Sequence, residues 1–236
     1  MKSEPHAQSE STSEVLFGEL ILVLEQNTDW SRIRTVRDGY EGYIDSSVFN
    51  NTKHESTHWV STRATQVFQQ PDIKSTVLQR LLFGSELSVS QTGVDGNFLQ
   101  LIGGGFVWDA HCLEQDIRLQ SSMIEIAQSN YQHTPYLWGG RSSDGCDCSG
   151  LVQMLAMTRG INLPRDSIDQ ENALTHQIDF ESRAAEDLVF WPGHVGILQS
   201  PETLLHATAH SMRCCVEPLL NVIQRAGAPS SVKRIS

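Results

Sequence analysis

The chain has 236 residues, of which 39% are hydrophobic and 19% are charged, and a formal net charge of −11 at pH 7. This composition excludes a disordered chain and supplies enough apolar side chains for two or three compact domains. It also argues against a nucleic-acid partner, because a protein that neutralises many phosphates needs clustered Lys and Arg, and no such run occurs.

The N-terminal leader MKSEPHAQSESTSE is polar, and Glu19 interrupts the apolar run VLFGELILVL that follows it. This pattern is unlike a signal peptide or a membrane-spanning segment, and no other stretch approaches about 18 apolar residues. Five cysteines are an odd number in a long chain and fit a reducing compartment better than a disulfide framework. We therefore expect a cytoplasmic protein without a membrane partner.

A weak internal repeat relates residues 15–48 to residues 79–113. The segment VLFGELILV matches RLLFGSELSV, with Phe17 aligned to Phe83 and Gly18 to Gly84, and GYEGYID matches IGGGFVWD further along. Both copies consist of short alternating segments with Gly and Asp at the turns, which is typical of small β domains.

The two copies predict β domains over residues 1–50 and 51–115, joined in the polar segment 50–56. The second copy is preceded by THWVSTRATQVFQQPD, which supplies an opening strand and a turn. The first copy has only the polar leader in that place. We therefore expect the first unit to be shortened or built irregularly.

Residues 116–236 combine helical patterns with later strand-like segments. SSMIEIAQSN and SGLVQMLAMTRG have apolar residues at helical spacing, with serine caps before the first and Gly160 ending the second. SIDQENALTHQ predicts another helix, in which Ser167 and Gln170 have the spacing of a capping box. Short strands are predicted at 187–191, 194–199, 203–209, 214–219 and the C-terminal VKRIS, with turns at Pro192-Gly193 and Pro201. Helices followed by an antiparallel meander predict an α+β domain.

Cys148 lies at the start of a predicted helix, where unpaired backbone N–H groups and the helix dipole stabilise an anion. The thiolate is the nucleophilic form of cysteine, and the same N–H groups can hold an oxyanion. The small residues Ser149 and Gly150 let a substrate approach the backbone closely. His194 and His206 lie on successive strand-like segments, which an antiparallel hairpin brings together. These residues have the order nucleophile, base and orienting residue.

Spacing alone leaves other interpretations open. A cysteine near a helix start is most often a small buried residue, and Asp166 and Ser167 could simply cap a helix. Four sulfurs are available for zinc, but one residue between paired cysteines is fewer than zinc sites favour, and a redox pair also needs a wider spacing. Those four cysteines are Cys146, Cys148, Cys214 and Cys215.

Several ordered motifs carry a resemblance to a known family. They are YLWGG (136–140), DCSGLVQ (147–153), LPRDSIDQ (163–170), EDLVFW (186–191), HVGI (194–197) and LHA (205–207). Their order and spacing resemble those of NlpC-type cysteine peptidases, which are papain-like enzymes that cut bacterial cell-wall peptides. The two β units resemble bacterial SH3-like domains more weakly. The resemblance implies an α+β protein in which two small SH3-like barrels precede a papain-like domain, with helices packed on an antiparallel sheet.

The resemblance also implies roles for individual residues. Cys148 would be the nucleophile, His194 the base and His206 the residue that orients the base. Tyr136, from the Tyr-x-Trp-Gly-Gly motif, would stand near the oxyanion and assist the backbone N–H of Cys148. Neither a metal nor another cofactor is implied. Cys146 has no role that we can derive, and burial is its default explanation.

One branch of the family combines SH3-like domains with this catalytic domain. It hydrolyses the γ-D-glutamyl bond to a diamino acid in free murein peptides that begin with L-alanine. An Asp-Ser pair after Pro-Arg binds the alanine ammonium there, which identifies Asp166 and Ser167 as expected substrate contacts, with Ser149 beside the nucleophile. A tyrosine of the first SH3-like domain closes the site, and Tyr40 is the candidate, whereas Tyr43 is the packing residue of the repeat.

The sequence departs from the family pattern at two points besides the shortened first unit. Glu186 replaces the usual glycine before Asp-Leu-Val-Phe, and the loop from Trp191 to His194 contains only Pro192-Gly193. The expected function is a peptidase for L-Ala-γ-D-Glu-diamino acid peptides in cell-wall recycling. The alternatives are a hydrolase of intact peptidoglycan, a non-catalytic peptide-binding module, and acyl transfer or lipid-ester chemistry on the same fold.

Overall fold

The first β unit is an antiparallel sheet of three strands in the order β1-β2-β3. The structure, a computed structural model, describes residues 1–49, 52 and 54–235. The strands are β1 (Ile21–Gln26), β2 (Trp30–Thr35) and β3 (Glu41–Asp45). Ile33 and Ile44 face inward, whereas most of β1 is exposed, so few apolar side chains stabilise this sheet. In place of an opening strand, the leader forms isolated bridges from Lys2 to Ser11 and Tyr43, as expected for an irregular unit.

The second β unit has eight strands in two sheets, in the orders β6-β5-β10-β9-β8 and β11-β4-β7. The strands are β4 (His58–Val60), β5 (Ala64–Phe68), β6 (Val77–Leu82), β7 (Glu86–Leu87), β8 (Val89–Val94), β9 (Phe98–Leu101), β10 (Phe106–Trp108) and β11 (Cys112–Glu114). Buried aliphatic residues from both sheets form its own core. Within the predicted junction 50–56, residues 50, 51 and 53 lie outside the described residues.

The third unit packs helices on an antiparallel sheet of five strands, in the order β17-β16-β15-β14-β18. Its elements are α1 (Met123–Tyr131), β12 (Arg141–Ser142), β13 (Gly145–Cys146), α2 (Cys148–Met157), α3 (Ser167–Ala173), β14 (Leu188–Trp191), β15 (His194–Ser200), β16 (Thr203–Thr208), β17 (Arg213–Pro218), α4 (Leu219–Ala226) and β18 (Ser231–Lys233). The expected α+β architecture is therefore confirmed. None of the described helices is long and apolar enough to cross a membrane.

Local sequence signals account for most of these helix ends. Ser122 and Glu125 form a reciprocal capping box at the start of α1. Gly160 adopts a φ of 75° after α2, which is the left-handed conformation that glycine accepts without a Cβ clash. The capping box predicted for Ser167 and Gln170 is wrong. Asp166 is the N-cap of α3, and the Gln170 amide instead donates to backbone carbonyls outside the helix.

Helix α4 is an element that the sequence pattern did not predict. It begins directly after Pro218, which ends β17, and Gly227 follows it with a φ of 87°. Leu219 and Val222 are the buried residues on its inner face. Pro218 and Gly227 were usable boundary signals. However, the apolar residues that follow the strand predicted at 214–219 resemble a continuation of that strand.

The departure at Glu186 also has a structural account. This residue has a φ of 70°, a conformation that disfavours any residue with a Cβ atom and explains a preference for glycine. The Glu186 carboxylate accepts a hydrogen bond from the backbone N–H of Met123 at the start of α1. A stabilising contact at a helix N-terminus thus offsets part of the backbone strain.

The two β units attach to the third unit differently. Trp59 and Phe83 of the second unit belong to the same buried apolar cluster as α1 and α2, and Phe83 meets Tyr131 edge-on at 5.9 Å. The first unit is held mainly by polar groups. Buried Arg141 forms an ion pair with Glu19 and donates to the carbonyl oxygen of Glu14 at 3.0 Å. These contacts hold the first unit beside the start of α2.

Candidate active site

Asp147 and Arg165 fix the start of helix α2, where Cys148 is the first residue. The Asp147 carboxylate is the N-cap and accepts a hydrogen bond from the Gly150 N–H at 2.8 Å. The Arg165 guanidinium donates to both Asp147 oxygens, at 3.0 and 2.6 Å. Both side chains are nearly inaccessible. This pair was not predicted as a positioning element, although Asp before a helical Cys-Ser-Gly is a recognisable N-cap signal.

The Cys148 thiol is buried, with 6% of the residue exposed. Burial and the nearby Asp147 carboxylate raise the pKa of Cys148 to about 11, although hydrogen bonds from the backbone N–H groups of Val195 and Ser149 lower it. The thiolate expected at this helix start is therefore not the resting form at pH 7, because desolvation exceeds the stabilisation from the N–H groups. The hydrogen bond from Val195 places the Cys148 sulfur next to β15, at the residue directly after His194.

His194 and His206 meet as the hairpin spacing predicts. Nε2 of His194 lies 2.8 Å from Nδ1 of His206, and Nε2 of His206 lies 2.8 Å from a Glu217 oxygen. Arg225 of α4 donates to the same Glu217 carboxylate at 2.7 Å. Glu217 and Arg225 are not among the site residues predicted from the sequence. Glu217 was detectable in principle, because it lies two residues after Cys215, the register partner of His206, and so shares its face of the sheet.

The Glu217 carboxylate determines where the protons of both imidazoles lie. A carboxylate only accepts, so Nε2 of His206 must donate to it and Nδ1 of neutral His206 must accept. Nε2 of His194 then donates to that Nδ1, which leaves Nδ1 of neutral His194 without a proton. Burial, His206 and the Arg225 charge lower the pKa of His194 to about 4. The resting site at pH 7 therefore pairs a neutral imidazole with a neutral thiol.

Tyr136 stands beside Cys148, as expected. Burial and the proximity of Cys148 raise the pKa of Tyr136 to about 12, so its hydroxyl remains a hydrogen-bond donor at neutral pH. Its backbone is fixed by a hydrogen bond from its N–H to the Met212 carbonyl at 3.0 Å and by a bridge to Cys146. Cys146 itself is fully buried in the apolar core, which agrees with a packing role.

Tyr40 of the first β unit reaches Asp166 of the third. The Tyr40 hydroxyl is hydrogen-bonded to the Asp166 carboxylate, and burial followed by the Asp166 charge raises the pKa of Tyr40. Burial likewise raises the pKa of Asp166, although Arg165 lowers it. Asp166 makes no capping hydrogen bond to α3, so its carboxylate is available at an exposed position. The structure thus joins an acidic group and a tyrosine from two domains.

The two serines have different surroundings. Ser149 is buried, and its hydroxyl accepts a hydrogen bond from Arg165 at 2.9 Å, so it belongs to the network around Asp147. Ser167 is the first residue of α3, directly after Asp166, and is partly exposed. Ser167 therefore lies beside the Tyr40 contact, whereas Ser149 directly follows Cys148 in α2.

The structure also groups potential metal ligands, in a combination that the four-sulfur hypothesis did not include. Among the described residues, one ligand atom each from His206, Cys215 and Glu217 lie within 4.8 Å of one another. All five cysteines are free thiols.

Comparisons with known proteins agree with this architecture. Residues 133–223 match the NlpC/P60 family, and residues 2–48 match the bacterial dipeptidyl-peptidase SH3 domain. The chain is 30% identical to "Dipeptidyl-peptidase 6" of Lysinibacillus sphaericus over 87% of its own length and 83% of that protein. It is 24% identical to "Gamma-D-glutamyl-L-lysine dipeptidyl-peptidase" of Bacillus subtilis (strain 168), over 83% of this chain and 71% of that protein.

A solved structure shares the fold across nearly the whole chain. It is an NlpC/P60 family protein from Bacillus cereus ATCC 10987, with a TM-score of 0.79 and 20% identity, covering 94% of this chain and 81% of the other. The match extends over the β units as well as the third unit. Given this fold, the matched domains and a relative similar along most of its length, the chain belongs to the NlpC/P60 family of peptidases.

Proposed function

We propose that the protein is a cysteine peptidase that hydrolyses the γ-D-glutamyl bond to a diamino acid in free murein peptides with an N-terminal L-alanine. The observation that carries this proposal is the contact between Tyr40 and Asp166. This contact places the Asp166 carboxylate next to a tyrosine of the first β unit. The carboxylate favours a substrate with a free ammonium, and the tyrosine favours a short peptide. The name of the Bacillus subtilis relative, a gamma-D-glutamyl-L-lysine dipeptidyl-peptidase, supports the same substrate class, and the other relative is also named a dipeptidyl-peptidase.

The reaction begins with the neutral pair. As Sγ of Cys148 attacks the γ-carbonyl carbon of D-glutamate, Nδ1 of His194 takes the thiol proton. The imidazolium that forms is stabilised by the Glu217 carboxylate through His206, which lies between them. The backbone N–H of Cys148 and the Tyr136 hydroxyl donate to the oxyanion. His194 then returns its proton to the leaving amine as the C–N bond breaks, and water hydrolyses the thioester.

Substrate recognition depends on the contact between Tyr40 and Asp166. The Asp166 carboxylate binds the alanine ammonium in a charge-assisted hydrogen bond, while Tyr40 orients the carboxylate and limits the length of peptide that fits. Ser167 provides a second polar contact beside Asp166. Arg165 is occupied by Asp147, so its role is to position the nucleophile's helix rather than to neutralise the acidic peptide.

The decisive test incubates the purified protein with L-Ala-γ-D-Glu-diaminopimelate and follows the release of diaminopimelate. We expect release by the wild type and none by Cys148→Ala. Acetylation of the peptide's N-terminus should abolish cleavage, because the ammonium that pairs with Asp166 is lost. Absence of release by the wild type, or equal release by Cys148→Ala, contradicts the peptidase. Equal cleavage of acetylated peptide or intact wall indicates a general peptidoglycan hydrolase instead.

We further propose that this reaction serves cell-wall peptide recycling in the cytoplasm, since five free thiols suit a reducing compartment. Fractionation of the source cells, with the chain detected by an antibody, tests the location. Recovery of the protein only from the extracellular or envelope fraction would contradict it.

A further inference from the structure

One face of strands β16 and β17 carries three potential metal ligands, of which Cys215 has no role in the proposed peptidase reaction. His206 pairs in register with Cys215, and Glu217 lies two residues further along the same strand. Side chains two residues apart point to the same side of a sheet, so the three groups converge. A ring nitrogen of His206, the Cys215 sulfur and a Glu217 oxygen all lie within 4.8 Å of one another.

We propose that His206, Cys215 and Glu217 form an inhibitory site for a zinc-like divalent cation. Imidazole nitrogen, thiolate sulfur and carboxylate oxygen are the donors that zinc uses, and three protein ligands leave a fourth position for water. Tetrahedral zinc needs its ligand atoms about 3.3–3.8 Å apart, given its bond lengths of about 2.0–2.3 Å. The ligand atoms here lie within 4.8 Å of one another, so some of them must move closer together. Rotation of the partly exposed Cys215 and Glu217 side chains supplies this movement.

The cation enters from the solvent side of this cluster. The His206 side chain is fully buried, whereas Glu217 retains 18% of its side-chain surface and Cys215 is partly exposed. Arg225 occupies the Glu217 carboxylate with two hydrogen bonds, at 2.7 and 3.2 Å. This guanidinium competes with the cation for the same oxygens, so the site binds metal more weakly than a dedicated structural zinc site.

Metal binding here changes the tautomers of His206 and His194, so that each imidazole carries its proton on the other ring nitrogen. With zinc on Nε2, neutral His206 must carry its proton on Nδ1 and donate it to Nε2 of His194. Neutral His194 then carries its own proton on Nδ1, the nitrogen that takes the thiol proton in the proposed reaction. Inhibition therefore rests on the proposed function, whereas metal binding itself does not.

The test uses the full chain and two independent measurements. Titration with Co²⁺ should produce a thiolate-to-cobalt charge-transfer band in the near ultraviolet for the wild type and for Cys148→Ala. The band should be absent from Cys215→Ser and retained in Cys214→Ala, the neighbouring buried cysteine on the opposite face. A band that is missing from the wild type, or unchanged in Cys215→Ser, overturns the site. Because Cys148→Ala lacks the proposed nucleophile, this arm is independent of the proposed function.

The second measurement is zinc inhibition of diaminopimelate release, with each variant normalised to its own metal-free rate. Removal of Cys215 should raise the zinc concentration for half inhibition at least about tenfold, since even indirect partners of a metal site change affinity by that much. Arg225→Gln should bind zinc more tightly by calorimetry, because the competing cation is gone. Equal zinc inhibition of the wild type and Cys215→Ser contradicts the switch. Failure of release without metal contradicts the peptidase and leaves the cobalt result to decide the site.

Discussion

The two β units share a repeat, but equivalent positions in them have opposite surroundings. Phe83 of the second unit is fully buried in the core of the third unit, which is the peptidase domain, whereas its counterpart Phe17 is 46% exposed. The glycines that follow, Gly18 and Gly84, keep the same left-handed conformation, with φ of 79° and 84°. Local backbone geometry has therefore been retained in the repeat, while the packing of its aromatic residue has diverged.

This difference relates to how each unit is stabilised. The second unit has its own aliphatic core and adds aromatic side chains to the peptidase core. The first unit has few buried apolar residues and is joined by ion pairs and hydrogen bonds, including one from Gln153 to Asp38 at 2.7 Å. A unit without a large core depends on its neighbour for order. That dependence holds the turn containing Asp38 and Tyr40 beside Asp166.

The largest effect should come from truncating the buried aromatic of the second unit. Phe83→Ala should lower the free energy of unfolding by about 3–5 kcal/mol, because it leaves a cavity in the shared core. Phe17→Ala is the matched control in the repeat, and its cost should stay below about 1 kcal/mol. Urea denaturation followed by tryptophan fluorescence measures both. Equal losses would remove the proposed difference between the two units.

Breaking the buried ion pair of the first unit should have a comparable or slightly smaller effect. Arg141→Ala leaves the Glu19 carboxylate buried without its main partner, which costs about 3–5 kcal/mol in typical cases. The control is Arg80→Ala, which removes the exposed pair with Asp144 between the second unit and the peptidase domain. That change should cost less than about 1 kcal/mol. We expect proteolysis to cut first within the first unit of Arg141→Ala, and cleavage of both variants at equal rates would argue against docking by this pair.

Removing the hydroxyl of Tyr40 should affect catalysis rather than stability. Tyr40→Phe loses a hydrogen bond to the Asp166 carboxylate, worth about 1.5 kcal/mol for a charged partner, so kcat/KM should fall about tenfold. Most of the loss should lie in KM, because the contact orders the proposed ammonium site at Asp166 and not Cys148. Tyr43→Phe, on the adjacent strand β3, is the control and should retain the wild-type kcat/KM. Identical kinetics for both variants would contradict a role of Tyr40 in substrate binding.

The smallest effect concerns the buried imidazole of His194. The folded-state pKa of His194, about 4, lies below its ordinary value of 6.5, so the unfolded chain binds more protons between these pH values. Stability therefore falls as the pH is lowered, by about 1 kcal/mol from pH 6.5 to 5.5 for this residue. His194→Gln should lose that part of the slope in urea titrations at the two pH values. An unchanged slope would mean that His194 is not buried in its neutral form.

Much of the peptidase domain followed from local pattern. The helical spacing after Cys148, the serine cap before α1 and the twelve-residue separation of His194 and His206 predicted elements that the structure contains. These signals act within one helix or one hairpin, where neighbours in sequence are neighbours in space. The thiolate expectation failed for a different reason. A helix start favours an anion, but the depth of burial, which reverses that preference here, depends on the surrounding domain.

By itself, the sequence determined the position of Cys148 at a helix start, the histidine hairpin and the order of the β units and the peptidase domain. Only the tertiary structure decided which distant groups complete the site. Tyr40 meets Asp166 from another domain, and Arg225 reaches Glu217 from a helix that follows its strand. The physical reason is that these contacts join side chains from separate elements, whose approach is set by domain docking and by helix packing. No periodicity along the chain encodes either of these.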